Sequence, residues 1–118
     1  MQIDHIAYAC LTHHCEQGKS DHKIIHWINQ DLTETHLTYS YFEKESNQIA
    51  NILTEIGVQA GDVISIFLPR SPILFSSFFG ITKLQALSCI LFSTLGEDAL
   101  LDRLGNSQTQ IIITKFQN

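Results

Sequence analysis

Residues 63–72 read VISIFLPRSP, a nearly continuous apolar run closed by two prolines. An apolar run of this length is typical of a strand that is buried on both faces of a parallel sheet. The dipeptide Ser71-Pro72 has the sequence of a helix start, because proline is favoured at the first helical position. The segment therefore predicts a buried strand over Val63–Leu68 that leads directly into a helix ending near Lys83.

The chain downstream repeats this alternation. Two further apolar runs, Leu87–Phe92 and Gln110–Thr114, predict strands, and Thr94 followed by Glu97 predicts the start of a helix that ends at Leu104. Strands and helices that alternate with short connections imply right-handed crossovers and a mostly parallel sheet with helices on its faces. The predicted fold class is α/β.

A helix is also predicted immediately upstream of the first of these strands. Ser40 and Glu43 have the spacing of a capping box, and Gly57 suits the left-handed residue that commonly ends a helix. All six glycines are interpreted as helix stops or turns. One helical face carries Phe42, Ser46, Ile49, Ala50, Leu53 and Ile56.

The first part of the chain predicts a leading helix and a β pair. The helix is expected from Ile3 to Cys15 and is stopped by Gly18; its predicted buried stripe is Ile3, Ile6, Ala7, Cys10 and His14. Lys23–Ile28 predicts a strand, and a short extended piece at Leu37 and Thr38 follows a polar linker. The expected organisation is residues 1–36 as helix, strand and linker, and residues 37–118 as an α/β subdomain.

Composition excludes several classes of partner. The chain has 118 residues and a net charge of -5, and its seven Lys and Arg are scattered, so neither nucleic acid nor a membrane surface is an expected partner. No apolar stretch reaches the roughly 20 residues that a membrane-spanning helix needs. The three cysteines (Cys10, Cys15 and Cys89) form an odd set without the density of a disulfide scaffold, which favours the cytoplasm.

The common catalytic and metal-binding motifs do not occur in this sequence. The sequence contains no glycine-rich phosphate loop and no nucleophile elbow, and Ser76 and Ser77 are expected to serve helix packing. Cys10 and His14 lie one helical turn apart, but a structural zinc needs four converging ligands. No metal site is predicted.

Two loops are candidates for ligand contact because they follow strands of the predicted sheet. In open α/β sheets, ligands collect at the carboxyl ends of the strands. Arg70 follows the first strand and is a candidate anion contact. Phe92, Ser93 and Thr94 follow the next strand, where a turn with one aromatic side chain could form a wall for a planar ligand.

Ordered sequence motifs extend this interpretation. Leu37-Thr38-Tyr39 with Glu45-Ser46-Asn47, Gly57-Val58 with Gly61-Asp62-Val63, Leu68 to Pro72, and Asp102-Arg103-Leu104 follow one another along the chain. Together they resemble the amino-terminal domain of the adenylate-forming AMP-forming acyl-CoA synthetases, and most narrowly the acetyl-CoA synthetases. The resemblance covers about residues 7 to 114. Two positions depart from the family pattern: Gln85 stands where a glycine is usual, and Gly105 where an acidic residue is common.

The resemblance implies a ligase that activates a carboxylic acid, preferably an acetate-like one, with ATP and Mg²⁺ and transfers the acyl group to CoA. It places Phe92, Ser93 and Thr94 at the wall of the CoA adenine, where glycines are usual at the last two positions. The family's phosphate loop and its carboxy-terminal domain with the catalytic lysine are expected beyond Asn118. This chain is therefore expected to hold no catalytic residue or cofactor of its own and to be inactive alone.

A second hypothesis comes from a different class of protein. The chain could be a free-standing α/β binding or interaction module from a truncated gene. The helix over Ile73–Ile81 supports the ligase hypothesis, because it is apolar on most of its circumference and needs cover, either from the remainder of the ligase or through self-association. The module hypothesis instead predicts a stable, monodisperse fold whose exposed sheet edge and helix serve a partner.

Overall fold

The computed structural model describes residues 5–115, and the alternating order predicted from the sequence is confirmed. The helical elements are a π-helical turn (Tyr8–Thr12), α1 (His13–Glu16), α2 (Tyr39–Glu55), α3 (Pro72–Lys83) and α4 (Glu97–Ser107). The strands are β1 (Lys23–Ile28), β2 (Glu34–Thr38), β3 (Val63–Phe67), β4 (Leu87–Leu91) and β5 (Ile111–Thr114). Within the described residues, no helix is both long and apolar enough to cross a membrane.

The strands form two sheets. β1 and β2 pair antiparallel, and β2 includes Glu34, Thr35 and His36, which the sequence had assigned to a linker. The second sheet is parallel and has the order β4-β3-β5, so β3 is its central strand. This arrangement is the predicted α/β architecture, a parallel sheet flanked by helices.

The main core lies on one face of the parallel sheet. Ile64 and Ile66 of β3 are completely buried and pack with Leu53 of α2 and Ile81 of α3. A smaller cluster of Leu11, Leu37 and Phe42 joins the leading segment and β2 to α2. Each fully buried side chain of this size stabilises the fold by roughly 1.5–3 kcal/mol. α2 and α3 thus connect the two clusters.

Gly80 is a contact residue between helices, so its interpretation as a stop or turn was wrong. It lies inside α3 and is buried against α2. A Cβ at this position would lie 2.6 Å from Ile49 Cγ2 and 3.0 Å from the backbone oxygen of Ser46. The two helices approach so closely there that only a hydrogen atom fits between them. Gly105 was also misassigned, because it lies in the exposed interior of α4.

The capping box at Ser40 and Glu43 was wrong. α2 begins two residues earlier than the box requires, and the Thr38 hydroxyl accepts the hydrogen bond from the Tyr41 backbone N–H at 3.1 Å. Glu43 instead forms a largely buried ion pair with Lys83 of α3. The Lys83 ammonium also donates to Asn47 Oδ1 at 2.7 Å, whereas Glu43 Oε2 is buried with no partner among the described residues.

The start of α4 was also misplaced. Gly96 is the N-cap, and Thr94 lies in the preceding loop, because the helix does not begin until Glu97. The N-cap position of Ser71 and the first-turn Pro72 are confirmed for α3, although the Ser71 hydroxyl donates to the Pro69 oxygen and does not cap. The consequence is a longer loop after β4 than the sequence suggested.

The predicted buried stripe of the leading helix was only partly right. Ala7 is buried as predicted and His14 is half-buried, whereas Ile6 and Cys10 are exposed. Tyr8 and Leu11, which the predicted stripe left out, are buried. A π-helical turn begins at Tyr8, where the His13 N–H bonds to the Tyr8 oxygen, so the regular α-helical period is interrupted from that residue on. Ile3 of that prediction lies outside the described residues.

The helices share one kind of ending. After α2, the N–H of Gly57 bonds to the Thr54 oxygen and that of Val58 to the Leu53 oxygen, which is the Schellman pattern with a left-handed residue. The same pattern follows α1, α3 and α4, where the left-handed residues are Gly18, Gln85 and Gln108. Gln85 thus has a backbone φ of 58°, a conformation that favours glycine.

We expect Gln85→Gly to stabilise the chain by about 0.5–1 kcal/mol, because glycine adopts the left-handed conformation without the steric cost that a side chain incurs. The free energy of unfolding from urea titration measures the change. Gln48→Gly is the control, since Gln48 is an exposed position inside α2 where glycine should destabilise by about 1 kcal/mol. Equal losses in both variants would contradict the strain at Gln85.

Candidate functional site

A cleft of about 520 Å³ lies at the carboxyl ends of β3 and β4. Its walls include every site residue singled out from the sequence, Arg70 from the loop after β3 and Phe92, Ser93 and Thr94 from the loop after β4. The apolar part of the lining is Leu68, Pro69, Leu74, Ile90 and Leu91. Gln30, from the loop between β1 and β2, completes it.

Local hydrogen bonds shape the two loops. After β3, the Ser71 hydroxyl donates to the Pro69 backbone oxygen at 3.0 Å, and the Ser71 backbone oxygen accepts from the Leu74 N–H. After β4, the Leu95 N–H bonds to the Phe92 oxygen at 3.1 Å. Because β3 and β4 are adjacent and parallel, the loops that follow them lie at the same edge of the sheet.

The cleft carries positive charge. Arg70 is exposed and forms no salt bridge within residues 5–115, and no carboxylate is among the lining residues that the structure describes. A smaller cleft of about 220 Å³ adjoins it, shares Pro69 and Ser93, and is lined by Lys115 as well. Two cations therefore flank one sheet edge, an arrangement that suits a ligand with more than one anionic group.

The remaining cleft groups suit a planar ligand. Phe92 is 74% exposed, so its ring face is free to stack on an incoming ring. Ser93 and Thr94 are exposed next to it and offer hydroxyl groups as donors or acceptors. Chemically, the cleft can hold an aromatic ring against Phe92 and anions near Arg70, and the lining that the structure describes includes no nucleophile with an adjacent base.

An apolar groove of about 350 Å³ continues from the cleft. Leu74 and Ile90 line both, and the rest of the groove is Ile6, Cys10, Phe75, Phe78 and Phe79. Ile6 and Cys10, the two residues of the predicted stripe that are exposed, face this groove. It presents almost no polar surface and is open to solvent.

The other candidates from the sequence are not brought together. In the described part of the chain, no three His, Cys, Asp or Glu side chains are placed to hold a metal ion. His14 stacks on Tyr39 with ring centroids 4.8 Å apart, and Cys10 is exposed. Ser76 and Ser77 are both buried within α3, as expected for packing.

Two residues were not predicted from the sequence, Gln30 of the cleft and Lys115 of the smaller cleft beside it. Gln30 comes from a loop that precedes the parallel sheet by more than 30 residues, and no local pattern indicates that this loop reaches the sheet edge. Lys115 follows β5 as Arg70 follows β3, so the rule that ligands collect at strand ends could have found it.

The fold and the cleft define an α/β domain with an anion-attracting site at the ends of its parallel strands. The model of the AMP-binding enzyme family matches residues 11–118, and the chain therefore belongs to that family. This finding agrees with the family that the sequence motifs resemble.

Curated relatives and solved structures point the same way. An acetyl-coenzyme A synthetase of Streptomyces coelicolor is 30% identical over 109 residues, and one of Mycobacterium bovis is 32% identical over 110. These matches cover 92% of this chain and 17% of each relative. A Brucella canis acyl-CoA synthetase structure superimposes with a TM-score of 0.86 at 27% identity, over 94% of this chain and 20% of that one.

Proposed function

We propose that this chain forms part of an AMP-forming acid–CoA ligase and that its strand-end cleft binds the adenine end of CoA. The observation that carries the proposal is the convergence of Arg70 with Phe92, Ser93 and Thr94 around one cleft. Membership of the AMP-binding enzyme family supports the reaction class. The chain spans about 17% of the length of the curated relatives, so the activity belongs to a larger assembly of residues than those described.

The proposed reaction joins a carboxylic acid and CoA at the expense of ATP. The acid first displaces pyrophosphate from ATP to give an acyl-adenylate, and the CoA thiol then displaces AMP to give acyl-CoA. An acetate-like acid is favoured because the similar relatives are named acetyl-coenzyme A synthetases. In this proposal the ligase works with ATP and Mg²⁺ in the cytoplasm, and residues 5–115 supply no group that activates the acid.

In this proposal the described residues bind and orient CoA. The Phe92 ring stacks on the adenine, an interaction of about 1–3 kcal/mol for base–aromatic pairs. Arg70 and Lys115 attract the phosphates of CoA. The Ser93 and Thr94 side chains stand where glycines are usual in the family, so they narrow the cleft beside the adenine. None of these side chains reacts. Their contribution is to affinity for CoA and to its position.

We expect Phe92→Ala to raise the KM for CoA about tenfold, because a lost base–aromatic stack costs about 1.4 kcal/mol or more. The assay uses a chimera in which residues 7–115 replace the matched segment of the Streptomyces coelicolor relative. Acetyl-CoA formation is followed at varied CoA and at varied ATP. The control is Leu101→Ala, an exposed apolar residue of α4 outside the cleft lining.

The two substrates give the chimera its diagnostic value. A KM for CoA that rises while the KM for ATP stays unchanged supports the CoA assignment. An unchanged KM for CoA, or an equal rise for ATP, would contradict it. The isolated 118-residue chain, assayed in parallel, is expected to release neither AMP nor pyrophosphate from ATP, acetate and CoA.

The apolar groove is proposed to be covered by the remainder of the ligase. A contiguous apolar surface of this kind on a protein promotes association. Phe75 and Ile90 are 38% and 54% exposed, so both are available to a partner. The free-standing module hypothesis assigns the same surface to another protein. Light scattering of the isolated chain distinguishes the two: the ligase proposal predicts self-association with rising concentration, whereas the module hypothesis predicts a monodisperse chain.

A further inference from the structure

The β1–β2 loop brings one side chain to the cleft and holds its neighbours firmly. Asn29 donates its side-chain amide to Thr33 Oγ1 at 2.9 Å and accepts from Trp27 Nε1 at 3.0 Å. Asp31 accepts from the hydroxyl of Thr33 at 2.6 Å and from its N–H at 3.0 Å. These same bonds lower the pKa of the Asp31 carboxyl. The residues on either side of Gln30 are thus fixed.

Gln30 itself takes no part in this network. Among residues 5–115, no group donates to or accepts from its side-chain amide, although the residue lines the cleft together with the two strand-end loops. Fixed flanking residues reduce the conformational entropy that a loop side chain loses when it binds a ligand. Gln30 is therefore an unused amide presented to the cleft.

The chemistry of an amide matches one edge of adenine. A glutamine offers one acceptor oxygen and an NH₂ donor side by side, and adenine offers its N6 amino donor next to the N7 acceptor. Guanine presents two acceptors, O6 and N7, in the same place, and arginine matches these. With Phe92 on the ring face, the edge of the ring is left to the polar side chains of the cleft, and among the lining residues that the structure describes only Gln30 offers an acceptor and an amino donor side by side.

We propose that Gln30 is a specificity residue that reads the N6 and N7 edge of the adenine bound in the cleft. The inference rests on the proposed function, since it assumes that the cleft holds the adenine end of CoA. It adds the selection of the base, which Phe92, Arg70 and Lys115 cannot provide, because stacking and phosphate contacts tolerate any base.

The test compares two probes that differ only in the base, adenosine 3′,5′-bisphosphate and guanosine 3′,5′-bisphosphate. Isotope-labelled full chain is titrated with each, and amide chemical shifts give the Kd. We expect the native chain to bind the adenosine probe on the order of tenfold more tightly. Gln30→Ala should bind both equally, and Gln30→Arg should prefer the guanosine probe.

Each outcome has one meaning. A preference for adenosine that persists unchanged in Gln30→Ala and Gln30→Arg overturns the inference about Gln30. Binding of both probes with equal affinity to the native chain also overturns the inference about Gln30. The proposed function is still supported in that case if the probes shift the amide signals around position 92 and these shifts are lost in Phe92→Ala. Absence of binding to either probe at millimolar concentration, in the full chain and in the chimera alike, overturns both. Since Gln30 is exposed, the amide spectra of its variants serve as the check on folding.

Discussion

Gly80→Ala is expected to destabilise the chain by about 2–3 kcal/mol, and this is one of the two largest effects we predict. The added methyl group would meet the Cβ of Ile49 at 2.7 Å and its Cγ2 at 2.6 Å. A rotamer change cannot move a Cβ atom, so α2 and α3 must separate. Overpacking of a well-packed core typically costs 1–3 kcal/mol. Thermal and urea unfolding followed by circular dichroism measure the loss.

Gly105→Ala is the matched control for this substitution. Gly105 lies within α4, and a Cβ there meets no heavy atom within 4 Å. Alanine should therefore stabilise α4 by about 0.5–1 kcal/mol through helix propensity alone. The same chemical change is expected to have opposite signs at the two glycines. A stabilising Gly80→Ala would show that the two helices do not approach as closely as described.

Lys83→Met is expected to destabilise the chain by about 2–4 kcal/mol, because it leaves the Glu43 carboxylate without its cation. The side chains of Lys83 and Glu43 are only 10% and 20% exposed. Removing one partner of a buried pair typically costs 3–5 kcal/mol, and the residual exposure lowers that figure here. The free energy of unfolding at neutral pH is the measurement.

A double variant separates charge burial from packing. Glu43→Leu combined with Lys83→Met should recover most of the loss, since an apolar pair of similar volume often replaces a buried ion pair at little cost. Glu34→Gln is the control for an exposed pair: Glu34 and His26 are 2.7 Å apart but about half exposed, and the expected change is below about 0.5 kcal/mol. If the double variant is as unstable as Lys83→Met, the loss is one of packing.

The parallel sheet could be predicted from the sequence because its strands are short, apolar and separated by helical patterns. β1 was bounded correctly, and β3, β4 and β5 were placed to within a residue at each end. Helix starts were less predictable. Thr38 and Ser40 are both good capping residues, and local sequence alone does not decide between them. The π-helical turn at Tyr8–Thr12 has no signature in composition or period.

The candidate site was predictable only in part, because some of its residues depend on how remote segments pack. Arg70 and Phe92 follow predicted strands, so the rule for strand ends indicated their loops. Gln30 and the Glu43–Lys83 pair depend on distances between segments that are remote in sequence. The role of Gly80 depends on how closely two helices approach, which no single helix specifies. Residues of this kind become visible only when the elements are packed.

The strand order β4-β3-β5 also determines when each edge of β3 can pair during synthesis of the chain. Val63 in the central strand pairs with Leu87, but its neighbour Ile64 also needs Ile111, which leaves the ribosome much later. At roughly 5–20 residues per second, one edge of the central strand stays open for a second or more after the other has closed. A nascent chain in this interval is vulnerable to pairing with a wrong strand, so slow translation between α3 and β5 would favour aggregation.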